Sequence, residues 1–366
     1  MTRTLRIATR GSALALAQTG MIAAELTRLT GVDVQISVVT TEGDTSRASL
    51  ASIGGTGVFA SALRAALIAG ECDLVVHSLK DLPTAPYPGL VLGAVPARED
   101  ARDALITRDG VTLDELPEGF RVGTGSPRRV AQLLSLRPDA TVVDIRGNVD
   151  TRLATVSSGE LDAVVLAAAG LTRLGRLDAV TEFFDLSLWP TAPGQGALAL
   201  EAREEDSIPE LALIQHAETR LSIAAERAVL AALEAGCTAP IGATATIEAE
   251  GADDLLTVTA VVYSADGSEE LGSTRSVRLA GGAVSGRGSS GAGRGSGAGR
   301  GSGAGRGPDS ALAAGSLAAG LLAAGVVDQA AVFAAQLAQA ESLGAELAAQ
   351  LLDDGAADLA ELGVSS

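Results

Sequence analysis

The chain has 366 residues, 47% apolar but only 2% aromatic, with 27 basic against 45 acidic side chains and a formal net charge of −18. At roughly 150 residues per domain this length makes two or three domains whose cores rest on Ala, Leu and Val, and the acidic balance excludes a general polyanion binder. Two cysteines, Cys72 and Cys237, and two histidines, His77 and His216, are too few for a disulfide framework or a four-ligand zinc centre, so no metal is expected.

Residues 4–9 read as a buried strand, and Ser12 is placed to cap an apolar-periodic helix ending near Gly31. A strand over 32–39, a polar glycine-rich stretch over 41–57, a helix from Phe59 and a strand over 73–78 follow. From about residue 103 the alternation repeats, with strands at 103–107, 121–125, 141–145 and 162–167 and helices from Pro127 and Val149. Such alternation predicts parallel sheets with helices on both faces, and residues 196–202 add one more strand. An Ala-rich helix over 217–235, closed by Gly236, leads into an antiparallel sheet with a turn at Asp266-Gly267. Residues 281–307 repeat GSGAGR-like units containing Arg287, Arg294, Arg300 and Arg306, the composition of a flexible linker. The Ala-rich run Ala311–Val327 has 17 uncharged residues, short of the ~20 that span a bilayer. The opening MTRTLRIATR has no apolar signal-peptide core, and a cytoplasmic location is expected.

Of the 27 basic residues 26 are Arg; the single lysine is Lys80. Coding bias accounts for such a ratio, yet a compact ammonium is what a site retains when a guanidinium cannot replace it. Anion-binding features recur at expected strand ends: Arg10-Gly11-Ser12, then Ser78-Leu79-Lys80-Asp81, then Thr124 to Arg129, then Arg146 with Arg152, then Arg173. Ser126 is a natural N-cap and Pro127 a natural first helical residue, so a helix N-terminus joins Arg128 and Arg129. For any one arginine a surface salt bridge is an equally good reading; together they predict a ligand with several anionic groups. Gly54-Gly55-Thr56-Gly57 lacks phosphate-loop spacing and reads as a mobile loop, His77 as a structural histidine and Cys72 as a small filler. Cys237 sits in a loop between a helix and a strand, where a functional thiol and an inert one are both reasonable. The scarcity of aromatics argues against stacking on nucleic-acid bases.

The segments HSLKDLPT, VGTGSPRR, RGNVDTR, LDAVVLAAAGLTRLG, PGQGALALE, AERAVL and EAGCTAPIG, in this order, resemble the hydroxymethylbilane synthase (porphobilinogen deaminase) family from residue 4 to about 280, with the C-terminal helix near 341–363. The resemblance implies an α/β fold of two domains like type II periplasmic binding proteins plus a smaller C-terminal α+β domain. The expected division is 1–99 with 196–216, then 100–195, then 217–366 carrying an insertion at about 281–339 that has no counterpart. It also implies the joining of four porphobilinogen molecules head to tail, with loss of ammonia, to give hydroxymethylbilane in tetrapyrrole biosynthesis. Carried over by position, Cys237 resembles the thioether anchor of a dipyrromethane cofactor and Asp81 the catalytic carboxylate. Arg10, Ser12, Ser78, Lys80, Thr124, Ser126, Arg128, Arg129, Arg146, Arg152 and Arg173 resemble the groups that hold acetate and propionate arms. Ser52 and Thr56 stand where some relatives have lysine. Porphobilinogen is the one partner implied, with no nucleic acid, no membrane and a monomeric state expected. Two rivals come from other classes: an exported solute receptor, disfavoured by the missing signal peptide, and a hydrolase using Cys237 with a histidine, disfavoured because both histidines lie in other modules.

Overall fold

A computed structural model describes residues 3–40, 58–234, 239–250, 253–280, 284 and 314–360. The expectations for the 41–57 loop, Ser52, Thr56, Gly236, Cys237 and the 285–313 tract lie outside the described residues.

Strand β1 (Thr4–Thr9) runs into helix α1 (Ala13–Thr30), whose ends follow the sequence: Ser12 Oγ accepts from the Ala15 N–H, and Gly31, at φ 68°, donates to the Thr27 carbonyl. Then come β2 (Asp33–Val38), α2 (Val58–Ile68), β3 (Leu74–Ser78), a short 3-10 turn over Leu79–Asp81, and β4 (Leu90–Ala94). The chain crosses into β5 (Asp103–Thr107), β6 (Arg121–Gly123), α3 (Pro127–Leu136), β7 (Thr141–Val143), α4 (Val149–Ser157), β8 (Ala163–Ala167), α5 (Ala168–Arg173) and β9 (Glu182–Phe183). It then returns as β10 (Leu198–Arg203).

The two sheets share one topology, β2-β1-β3-β10-β4 and β7-β6-β8-β5-β9. This is the α/β arrangement of type II periplasmic binding proteins. Each sheet corrects the all-parallel expectation at one place, because β10 and β5 run antiparallel to both their neighbours. The cause is topological. A strand that arrives from the other sheet enters at the edge where the parallel strands end, so it must run the opposite way. The two crossing segments, 95–102 and 184–197, are bonded to each other, Glu99 N–H to the Gly196 carbonyl at 3.2 Å. Gly196 has φ 85°, and a Cβ there would lie 2.4 Å from the Glu99 carbonyl oxygen, so the approach requires glycine.

After α6 (Leu211–Ile214), helix α7 (Ala217–Ala232) packs against the antiparallel sheet β11 (Ile241–Glu250), β12 (Asp253–Tyr263), β13 (Glu270–Arg278). Helix α8 (Ala314–Asp353) and α9 (Ala356–Leu359) complete this smaller α+β unit, with Leu221, Val229, Ile241, Val258, Leu343 and Leu347 in its core. Helix α7 ends at Ala232, earlier than the expected 235, and the left-handed residue beyond it is Glu234 at φ 48°. The C-terminal helix begins well before 341 and breaks at Asp353, where Gly355 at φ 99° turns the chain. Among the described residues no helix is long and apolar enough to cross a membrane.

Glu226 on α7 is fully buried and ties this unit to both crossings. Its carboxylate accepts from Arg98 at 2.6 and 3.1 Å, from the Gly194 N–H at 2.6 Å and from the Ala245 N–H at 2.9 Å. A buried carboxylate is tolerated only when its lone pairs are filled in this way.

Candidate active site

The parallel strands of both sheets end toward the crossings, and the sequence-predicted residues follow those ends. Arg10 and Ser12 follow β1, Ser78 ends β3, Lys80 and Asp81 lie in the turn after it, Thr124 and Ser126 follow β6, and Arg146 follows β7. Arg128 and Arg129 occupy the first turn of α3, Arg152 the first half of α4, and Arg173 the last residue of α5.

Arg128 and Arg129 are buried and converge on Asp103, the first residue of β5, at 2.8 and 2.6 Å. Asp103 also accepts from Trp189 Nε1 and Gln195 Nε2, each at 2.8 Å. The two guanidiniums hold its carboxyl far below the usual carboxylate range even though burial pushes the other way. Arg128 further donates to Gln132 Oε1 and the Pro190 carbonyl, and Arg129 to the Val165 carbonyl. Both arginines are therefore oriented by protein groups, more than a wholly ligand-facing fork would be. Ser126 precedes α3 as expected, but its side chain caps nothing; its N–H donates to Thr124 Oγ1 at 3.2 Å.

On the opposite wall Lys80 Nζ donates to Gln195 Oε1 at 3.1 Å. Burial first, and the neighbouring Arg129 charge second, pull its ammonium down to about 8. Gln195 thus joins Lys80 to Asp103, while Arg173 reaches the adjoining Gly196 carbonyl at 2.6 Å. Arg152 is lowered by burial and by the charges of Arg129 and Arg146, a sign that cations outnumber anions here. Among the described residues, four of the eight buried side-chain polar atoms without a hydrogen-bond partner are the Nε of Arg128, Arg129, Arg146 and Arg173. Orphaned buried donors are rare, and a cluster of them on cations fits a ligand bearing several carboxylates, as a dipyrromethane does.

His77 is buried at the end of β3, its Nε2 2.9 Å from Glu201 Oε2 but out of line for a hydrogen bond; Glu201, lowered to about 2, is held by Arg64 at 2.8 Å. Its desolvation opposes that lowering, which comes from His77 and Arg64. His216 caps α7, its Nδ1 accepting from the Thr219 N–H. Cys72 is buried, and desolvation raises its thiol to about 11, which leaves it inert at neutral pH. Sequence reasoning missed Asp103, Gln195 and Trp189. The one available signal was Gln195 between two glycines, Gly194 at φ 77° and Gly196 at φ 85°, a polar residue on a backbone bent where side chains are costly.

Comparison with known proteins identifies the family. The family model described as "Porphobilinogen deaminase, dipyromethane cofactor binding domain" matches residues 5–210, and "Porphobilinogen deaminase, C-terminal domain" matches 220–281. A porphobilinogen deaminase of Leifsonia xyli is 65% identical over 73% of this chain and 82% of its own length. That of Cutibacterium acnes is 47% identical over 99% and 98%, and that of Thermobifida fusca 54% over 75% and 86%. Among solved structures, a methionine binding protein aligns with 55% of this chain and 84% of its own at 11% identity and TM-score 0.36, too distant to bear on the chemistry. The chain belongs to the porphobilinogen deaminase (hydroxymethylbilane synthase) family, transferases that carry a dipyrromethane cofactor and condense four porphobilinogens to hydroxymethylbilane with release of ammonia.

Proposed function

We propose that the cationic cleft between the two mixed sheets holds the carboxylate arms of cofactor and growing chain while Asp81 acts as the catalytic carboxylate. The observation that carries this reading is the set of buried, unpartnered Nε atoms on Arg128, Arg129, Arg146 and Arg173. Each pyrrole brings two carboxylates, and guanidinium forks bind carboxylates in pairs of parallel bonds. In this reading Cys237 forms the thioether, and Arg10, Ser12, Ser78, Lys80, Thr124, Ser126 and Arg152 complete the lining. The dipyrromethane, when bound, supplies the pyrrole carbon to which the first unit is joined.

Asp81 is exposed at the cleft beside Lys80, and its carboxylate faces the positive charge that develops when an aminomethylpyrrole loses ammonia. At ~4 Å and an effective dielectric of ~20 that pairing is worth about 4 kcal/mol, about a thousandfold in rate. Lys80, held by Gln195, fixes a carboxylate arm on the same wall and so orients the ring over Asp81.

The working units are 1–99 with 196–216, 100–195, and 217–366 with an insertion at about 281–339. In this reading the protein acts as a monomer in the cytoplasm. Intact-protein mass spectrometry tests the assignment: the parent should carry an added mass of two linked pyrrole units that Cys237→Ala lacks. An unmodified parent, or a modified Cys237→Ala protein, removes Cys237 from the mechanism.

A further inference from the structure

The 3-10 turn that carries Lys80 and Asp81 is held at both ends by groups outside it. At its start the Leu79 N–H donates to the Ala197 carbonyl at 3.0 Å, which ties the turn to the returning crossing. At its exit the Arg227 guanidinium, on α7 of the C-terminal unit, donates to two successive carbonyls, Leu82 at 2.9 Å and Pro83 at 2.6 Å. These are the first two residues after Asp81. A planar fork that grips two carbonyls fixes direction as well as distance. Helix α7 is itself anchored one residue earlier, where Glu226 takes Arg98 and the Gly194 N–H of the two crossings. Among the described residues no side chain donates a hydrogen bond to the Asp81 carboxylate, so its aim depends on the backbone of this turn. Lys80 differs, because Gln195 holds its ammonium directly.

We propose that Arg227 is a positioning residue for Asp81: by gripping the Leu82 and Pro83 carbonyls it sets where the carboxylate stands against the developing cation. The proposal rests on the reading of Asp81 as the catalytic carboxylate. Arg227 borders a groove formed by α7, α8 and Thr84, none of whose lining residues is assigned to cofactor or substrate. It therefore acts through the backbone of the turn and not on the substrate. Without the fork the exit of the turn is free to shift, and a displacement of about 1 Å at a reacting group costs up to about a hundredfold in rate. Lys80 keeps its own tether to Gln195, so the loss falls on kcat and not on KM.

The test uses cofactor-loaded enzyme and compares turnover in the parent, Arg227→Ala, Asp81→Asn and the double variant. Arg227→Ala should lower kcat about thirtyfold and leave KM within about twofold. In the Asp81→Asn background the same substitution should cost less than about threefold, because the carboxylate that the fork aims is gone. Parental kcat in loaded Arg227→Ala, or an equal loss in both backgrounds, overturns the proposal. A raised KM with kcat unchanged also overturns it, since Arg227 would then serve binding. Where Arg227→Ala does not fold or load the cofactor, Arg227→Lys carries the same comparison, because one ammonium cannot reproduce the fork across both carbonyls. Parental turnover in Asp81→Asn would instead overturn the catalytic reading itself, so the two failures are told apart.

Discussion

The two walls of the cleft are built on the same sheet topology but handle charge in opposite ways. The wall after β6 holds its cations with an internal counter-ion: Asp103 receives Arg128, Arg129, Trp189 and Gln195 before any ligand arrives. The wall after β3 has an exposed carboxylate, Asp81, next to an ammonium softened to about 8. A prepaid ion cluster makes a fixed template for binding, whereas a lightly held carboxylate and a titrating amine are suited to groups whose charge changes. In the proposed mechanism the wall after β6 is the fixed carboxylate template, and the wall after β3 adds to its own arm-binding groups the carboxylate that meets the developing cation.

The largest expected effect breaks the fixed wall. Arg128→Glu sets a second carboxylate against buried Asp103, and disrupting a buried pair of this kind costs about 3 to 5 kcal/mol. Calorimetry should show a large fall in Tm together with loss of the cofactor mass. Arg146→Glu, whose side chain is only half-buried and 3.6 Å from Asp144, should keep Tm and lose cofactor occupancy; full occupancy there would remove Arg146 from carboxylate binding. Next, Asp81→Asn should cut turnover about a thousandfold while Tm and the cofactor mass stay as in the parent. Near-parental bilane formation would show that the two walls do not divide the work in this way.

A smaller effect sharpens the contrast at Lys80. Its ammonium is present below about 8 and lost above, so kcat/KM should fall with rising pH along a limb at or above about 8, since bound carboxylate favours the charged form. Because the unfolded chain holds that proton more tightly, stability rises with pH between about 8 and the ordinary lysine value of ~10.4. Lys80→Arg should abolish the limb and lower kcat about tenfold, because a planar fork cannot take the ammonium's place against Gln195. An unchanged limb would assign it to another group. The smallest effect is a control: deleting 286–307 should leave porphobilinogen consumption within a few-fold, given that a doubling of loop length costs only about 0.6 kcal/mol.

Much of this molecule is legible in its residues because local chemistry and tertiary role agree. Ser12 and Gly31 bound α1 as caps do, and the strand-end cations fall at strand ends because a parallel sheet collects its loops there. The missed parts are non-local. Asp103 looks like any acidic residue opening a strand, and only the return of the chain at 184–197 brings Trp189 and Gln195 to it. The antiparallel β5 and β10 are likewise a consequence of crossing between sheets, which alternation of strands and helices cannot reveal. Ser126 shows the reverse case, a residue of the right type whose side chain is left unused as a cap.

Trp189 has one more consequence. It is the chain's single tryptophan, stacked on Phe184 with ring centroids 4.1 Å apart, and its indole N–H is bonded to Asp103. It sits on the returning crossing, in the same hydrogen-bonded cluster as the arginine wall. All indole emission therefore comes from one place, next to that ion cluster. Under the proposed function the arrival of anionic arms alters the field at this indole, so a change in its fluorescence on addition of porphobilinogen is the expected label-free readout.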